Sequence, residues 1–255
     1  MTAGKRRNRF QDFFDSIHYA SLKNCLYNYR VRKWAIEREL RKRNADRILE
    51  VGSGLSPVVT RFSRIVYLDL SFTALQTLKH RLGDGACVVA DCTRLPFKSG
   101  AFSHTVCSEV LEHVPDDGAA VQELARVMRF SGELLLTFPH RQFYFAMDDR
   151  FVEHCRRYEL DEMVTSLANA GLHPVMIRKV LGPFDKVTTL CIVSVILLCR
   201  GVREKRWANC QLPRIHILVT PFVWLANMIC AWLAYVDAKI MPRALTSVLF
   251  IRAKK

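Results

Sequence analysis

The chain has 255 residues, half of them hydrophobic, and carries 38 Lys+Arg against 24 Asp+Glu for a formal charge of +14. That length suits one good-sized domain or a domain with an insertion, and the charge suits an acidic partner: nucleic acid, an anionic membrane surface or a phosphorylated substrate. Nine cysteines, an odd number without a C-x-x-C, argue against a disulfide or zinc framework and for reduced thiols. The basic start "MTAGKRRNRFQDFF" lacks an apolar core segment, so no cleaved secretory signal is expected.

In chain order, residues 10–43 read as helical with a break near Asn28. Val31, Trp34, Ile36 and Leu40 are the expected apolar contacts, and Asn44 the stop. Apolar runs at 47–51, 65–70, 86–90, 104–108 and 133–138 read as strands. Between them, 116–130 reads as a helix with Asp116 or Asp117 as N-cap and Gly132 beyond its end, and 160–172 as another stopped by Gly171. Strands alternating with helices imply a doubly wound α/β fold, a mostly parallel sheet with ligands at the carboxyl ends of its strands.

The stretch "ILEVGSGLSPVVTRF" (48–62) reads as a strand, a glycine turn and a short helix. Such turns bring backbone close to a pyrophosphate in dinucleotide folds. Here Gly52 and Gly54 are present, but Pro57 has no N–H to give a phosphate. The turn fits a cofactor without phosphates; by itself it fits a plain structural turn equally well. Asp69 and Asp91 follow at the ends of the next two strands, where an acidic side chain can accept ribose hydroxyls.

With Leu95-Pro96-Phe97, Glu109-x-x-Glu112-His113 and Phe130-Ser131-Gly132 in order behind them, the chain resembles the class I S-adenosylmethionine-dependent methyltransferases, in particular the branch that includes quinone-biosynthesis enzymes. The resemblance covers roughly residues 45–181 and the last dozen. It implies a seven-stranded sheet, with 173–180 and 247–254 as its last two strands, and S-adenosyl-L-methionine as cofactor. It implies that Glu50, Gly52 and Gly54 shape the pocket for the methionine part and that Asp69 holds the ribose. Leu70 packs on the adenine, and Asp91 with Cys92 meets the adenine edge. Such a cofactor has no phosphate, in keeping with the turn.

Glu109, Glu112 and His113 fall at the end of the fourth strand, where the acceptor approaches. His113 is the candidate general base, and the alternative is that Glu112 and His113 only close a loop. The E-x-x-E-H spacing is similar to the metal site of some small-RNA and quinone O-methyltransferases, but no metal ligand is assigned here. His140 and His154 are further candidates for the acceptor pocket, with a surface or capping role as the other reading. Arg156 and Arg157 read as exposed, with contact to an anionic substrate as the other reading.

Residues 183–243 change character. The run 187–199 is unbroken and apolar, 215–236 is apolar on all sides, and the loop between carries Arg200, Arg203, Lys205, Arg206 and Arg214 against Glu204. Thirteen helical residues rise ~20 Å, short of a ~30 Å hydrocarbon core. A single crossing would strand the last β-strand on the wrong side, and the basic loop should stay cytoplasmic. The expected organisation is a basic N-terminal helical region (1–44), a cofactor-binding domain (45–182 and 244–255) and a helical insertion (183–243). The insertion either dips into one leaflet from the cytoplasmic face of an anionic membrane or forms a buried subdomain or dimer interface.

The expected function is methyl transfer to a hydrophobic or lipid-linked acceptor at that surface. The rivals are a soluble RNA methyltransferase and a non-catalytic partner of the same fold. No N-P-P-Y-type motif follows the fourth strand, so nucleic acid is not the expected partner.

Overall fold

The computed structural model describes residues 26–43, 45–83, 85–203 and 215–255; the expected helix before Leu26, the expected stop at Asn44 and residues 204–214 of the expected basic loop lie outside them, whereas 200–203 of that loop are helical. Seven strands form one sheet: β1 (Ile48–Val51), β2 (Ile65–Asp69), β3 (Ala86–Val89), β4 (Phe102–Ser108), β5 (Met128–Pro139), β6 (His173–Leu181) and β7 (Val248–Lys254). Their order is β3-β2-β1-β4-β5-β7-β6. The first five are parallel, and β7 runs antiparallel between β5 and β6. The strand order reverses between β1 and β4, and a crevice opens at the carboxyl ends there, as sheet topology requires.

Alternation decides the layers. Leu49, Val51, Leu134 and Leu136 point to one face, against α3 (Asp117–Val127) and α5 (Leu160–Asn169). Ile48, Val106, Leu135 and Phe250 point to the other, against α1 (Tyr27–Arg41), α2 (Phe72–Leu82) and α7 (Ile215–Ile240). The remaining helices are α4 (Met147–Phe151) and α6 (Pro183–Arg203). In α1, Ile36 and Leu40 are fully buried as expected, whereas Trp34 is exposed.

Two expected elements differ. The helix expected over 116–130 starts on the Asp116 cap, whose carboxylate accepts the Ala119 N–H at 3.0 Å, but ends at Val127. Met128, Arg129 and Phe130 open β5, with Met128 registered on Phe102 across a bulge and Ser131 at a φ of 63°. The pairing partner, not local helical period, decides those residues.

The second correction concerns the glycine turn: no helix follows it. From Gly52 to Ser63 the chain is an irregular, mostly buried loop whose backbone groups are satisfied by side chains. Glu50 accepts the N–H groups of Val58 and Val59 at 2.6 and 3.0 Å. Tyr29 and Tyr67 donate their hydroxyls to the carbonyls of Pro57 and Val59, each at 2.8 Å, and Arg81 donates to that of Leu55 at 3.0 Å. Pro57 removes one donor from any helical ladder. The buried Glu50 carboxylate then outcompetes the turn that Val58 and Val59 would otherwise make.

The insertion is tied to the sheet. Asp237 accepts the Phe184 N–H at 3.0 Å, and Lys179 donates to the carbonyls of Lys239 and Met241. Among the described residues no helix is long and apolar enough to cross a membrane.

Candidate active site

A cavity of about 650 Å³ lies over the carboxyl ends of β1, β2 and β4, closed by α1, α4 and α6. Its two halves are built differently. One half is formed by strand ends and the turns after them: Val51, Gly52, Gly54, Leu68, Asp69, Leu70, Ala90, Asp91, Cys92 and Thr93. Gly52 stands at a φ of 70°, and a Cβ there would come within 2.2 Å of Val110 Cγ2. No other residue type fits without displacing Val110. Asp69 accepts the N–H of Gly54 at 2.8 Å and of Ser71 at 2.9 Å, which fixes its carboxylate at the strand end. Asp91 accepts from the Thr93 N–H and hydroxyl, both at 2.8 Å. Burial pushes the Cys92 thiol up to about 12, so it stays neutral.

The residues expected for the cofactor thus converge, with one exception. Glu50 is buried behind the wall, holding Val58 and Val59; it shapes the pocket only through that loop. Burial outweighs those two N–H donors and lifts its pKa to about 8.

The donor set fits S-adenosylmethionine. This half of the wall carries no Lys or Arg among the described residues, as a phosphate-free cofactor needs. Asp69 offers lone pairs for ribose hydroxyls, and the half-exposed Leu70 offers an apolar face for adenine. The cofactor would supply a methyl group on a sulfonium; the chain's part is to orient it toward the other half of the cavity.

That other half is charged. Glu109 and His113 line it, and Glu109 at a φ of 54° reaches Arg32 of α1 at 3.3 Å. Glu112 sits just behind, fully buried, with neither carboxylate oxygen hydrogen-bonded; burial first, then the Glu109 charge, drives its pKa well above the usual range. His154 also lines the cavity, with Nδ1 donating to Asp149 at 2.8 Å.

Asp149 is the hub. It also accepts from Arg157 Nε at 2.8 Å, Lys186 Nζ at 2.6 Å and the Ala146 N–H at 3.0 Å. Burial opposes its ionisation, but the bond from His154 and the charges of Arg157 and Lys186 hold its pKa far below the usual carboxylate value. Lys186 bonds Asp148 as well, at 2.5 and 2.7 Å. Asp185, beside it on α6, accepts the Tyr27 hydroxyl at 3.2 Å, and burial raises its pKa.

Several of these residues correct the sequence reading. Arg157 is buried, while Arg156 is the more exposed of the two and pairs with Asp117 at 3.3 Å. His140 is buried away from the cavity wall, with Nδ1 donating to the Thr246 carbonyl at 3.0 Å. The sequence missed Tyr27, Arg32, Asp148, Asp149, Asp185 and Lys186. One signal was available: Asp185-Lys186 is a charged pair opening a helix that carries no further charge until Arg200.

Residues 49–136 match the family model described as "Methyltransferase domain". A Mycobacterium tuberculosis protein named "Probable S-adenosylmethionine-dependent methyltransferase" is 29% identical over 132 residues, 49% of this chain. The match covers 47% of that protein, so the chain spans about half the length of the curated relatives it matches.

Among solved structures, the Haloferax volcanii protein in complex with the Trm112 methyltransferase activator superposes with a TM-score of 0.62 at 14% identity, covering 97% of this chain and 98% of that one. Streptomyces coelicolor geranyl diphosphate C-methyltransferase, solved with Mg2+, geranyl diphosphate and S-adenosyl-L-homocysteine, gives 0.52 at 15% identity, covering 82% and 70%. These likenesses are of fold. Residues 49–136 carry a methyltransferase domain, the fold is the class I methyltransferase fold, and S-adenosylmethionine is the cofactor the site takes.

Proposed function

We propose that the whole protein transfers the methyl group of S-adenosylmethionine to a hydrophobic or lipid-linked acceptor at the cytoplasmic face of an anionic membrane. The observation that carries this reading is the placement of α6. Asp185, Lys186, Thr189, Ile192 and Val193 of this one helix line the acceptor half of the cavity, while Val187 and Val195 face out. An apolar acceptor would meet apolar surface from the exterior to the cavity.

Helix α7 supports it. Ala234 and Ala238 face inward, whereas Trp224, Met228 and Trp232, at four-residue spacing, are exposed, and Leu225, Ile229 and Leu233 flank them. Apolar surface of that extent marks an interaction site. At its end Tyr235 lies under Lys239 (4.6 Å) and beside Trp34, itself under Arg38 (5.0 Å). Aromatic rings with cations suit the headgroup layer of a membrane. The helices would lie in one leaflet, a monotopic attachment. In the acceptor half, Glu109 and His113 are the candidate contacts for the atom to be methylated, with His113 as the base where that atom must lose a proton.

Co-sedimentation with phosphatidylcholine vesicles containing anionic phosphatidylglycerol tests the membrane reading. The full chain should pellet, stay bound in high salt because apolar burial is not screened, and be released by detergent. Trp224→Ser with Trp232→Ser should release most of it while S-adenosylhomocysteine still binds. A wild-type chain left in the supernatant would end the membrane reading.

The second reading, a soluble RNA methyltransferase, draws on the charge of +14 and on the Haloferax fold relative, which has an activator protein as partner. Retention of structured RNA with a steep salt dependence, without vesicle binding, would favour it.

A further inference from the structure

We propose that the acceptor carries an ammonium group, seated between Glu109 and Asp185 at the inner end of the apolar face that α6 turns to the cavity. This names the acceptor's chemistry and rests on the methyltransferase reading of the same cavity.

The acceptor half is short of positive charge, although the chain as a whole stands at +14. Its fixed cations are Arg32, Arg157 and Lys186, and each is already taken. Arg157 gives Nε to Asp149 at 2.8 Å, and Lys186 bonds Asp148 at 2.5 Å and Asp149 at 2.6 Å. Arg32 pairs with Glu109 at 3.3 Å. An anionic acceptor would have to break one of these pairs.

Carboxyl groups are left over. Asp185 lines the cavity and is buried, and its side chain accepts from hydroxyls alone among the described residues: Tyr27 at 3.2 Å and Ser247 at 3.3 Å. Glu109 lines the cavity as well, and its Oε1 is buried without a hydrogen-bond partner. Behind it Glu112 is completely buried with neither oxygen bonded, and its Oε1 faces His154, a lining residue, at 3.6 Å. Arg32 serves all three acids: it pairs with Glu109, and its charge eases the ionisation of Glu112 and Asp185. That is too little. Burial still raises the pKa of both, as expected for carboxyls without a cation of their own. A ligand that brings one positive charge relieves the whole group.

The shape of the wall selects the kind of cation. Asp185, Thr189, Ile192 and Val193 line the cavity from one face of α6, at the spacing of helical neighbours. From the carboxyl to Val193 that face runs about 12 Å. It suits an unbranched apolar stem with a compact charged head. A primary ammonium has three N–H donors, enough for Glu109 Oε1 and for Asp185. Glu109 itself is held at a φ of 54°, with its N–H given to the Thr137 carbonyl at 3.1 Å. Backbone held in that region costs free energy and persists where a site needs it.

Full-length protein saturated with S-adenosylhomocysteine is titrated by calorimetry at neutral pH with octylammonium chloride, octanol and sodium octanoate. Octylammonium should bind at least about tenfold tighter than octanol, the low end for a charge-assisted hydrogen bond, and octanoate should bind weakest. In Glu109→Gln and in Asp185→Asn that advantage should fall at least about fivefold. Octanol affinity should hold in both, which shows that the variants are folded. Octylammonium binding no tighter than octanol overturns the proposal. So does an advantage that survives in both variants, the result expected if the probe only adsorbs to the exposed face of α7. Octanoate as the tightest ligand would make Arg32 the anchor and reverse the charge of the acceptor. A chain that binds no S-adenosylhomocysteine fails the underlying reading and the proposal with it. One that binds it but prefers octanol loses the ammonium alone.

Discussion

The two halves of the cavity solve the same problem, holding polar groups still in a buried place, by opposite means. On the cofactor side, backbone from consecutive strand ends does the work. Gly52 and Gly54 bring the main chain close, and Asp69 is pinned by two amides within fifteen residues of itself. On the acceptor side, ion pairs between side chains do it: Arg32–Glu109, Arg157–Asp149, Lys186–Asp148 and Lys186–Asp149. The Lys186 pairs join residues 37 and 38 positions apart. A side-chain-built wall can be retuned for a different acceptor by exchanging charges, and it depends on every partner being present.

The sharpest way to separate the halves is to remove the hub of the second. Asp149→Ala leaves Arg157 and Lys186 buried without their shared partner and should cost about 3–5 kcal/mol, read as a fall in denaturation midpoint. Affinity for S-adenosylhomocysteine should change little in the protein that remains folded. An equal loss of cofactor affinity would mean that the halves act as one unit.

Gly52→Ala attacks the first half. The new Cβ meets Val110 at 2.2 Å, and overpacking of this kind costs about 1–3 kcal/mol, with ~1–2 kcal/mol more for the left-handed backbone. Val110→Ala added to it should recover the packing part and leave the backbone part. No recovery in the double variant would show that the clash is not what Gly52 avoids.

Asp69→Ala should weaken S-adenosylhomocysteine by about 1.5–3 kcal/mol for each charge-assisted bond to the ribose, measured by calorimetry. Asp91→Ala should cost less, because Asp91 is exposed and already engaged by Thr93. The reverse ranking would relocate the ribose.

The last prediction concerns Glu50, the bridge between strand and loop. Its pKa rises on folding from 4.5 to about 8, so its protonated form is favoured in the native state. The associated stability is present below about pH 4.5 and is lost as pH rises through 8. Denaturant titrations from pH 5 to 9 should show wild-type stability falling more steeply than that of Glu50→Gln. Parallel pH profiles would mean the carboxylate titrates normally.

What the sequence determined by itself is the order of elements and the identity of the cofactor wall. Continuous apolar runs bounded by turns locate strands where the sheet is covered on both faces, and β1, β2 and β4 needed nothing more. That Gly52, Gly54, Asp69 and Asp91 share one wall was legible because they lie at strand ends, where position in the chain is nearly position in space. Tertiary structure alone decided three things. Val58 and Val59 gave their amides to Glu50 instead of a helix, and Met128 to Phe130 left a helix for a strand because Phe102 offered pairing. His154, Asp149, Arg157 and Lys186 gathered around Glu112. A sequence pattern records which side of an element is buried, but not which distant partner meets it there. For apolar residues that partner hardly matters, since any close-packed neighbour serves. For a buried charge the partner is the whole of the energetics, and only the folded chain names it.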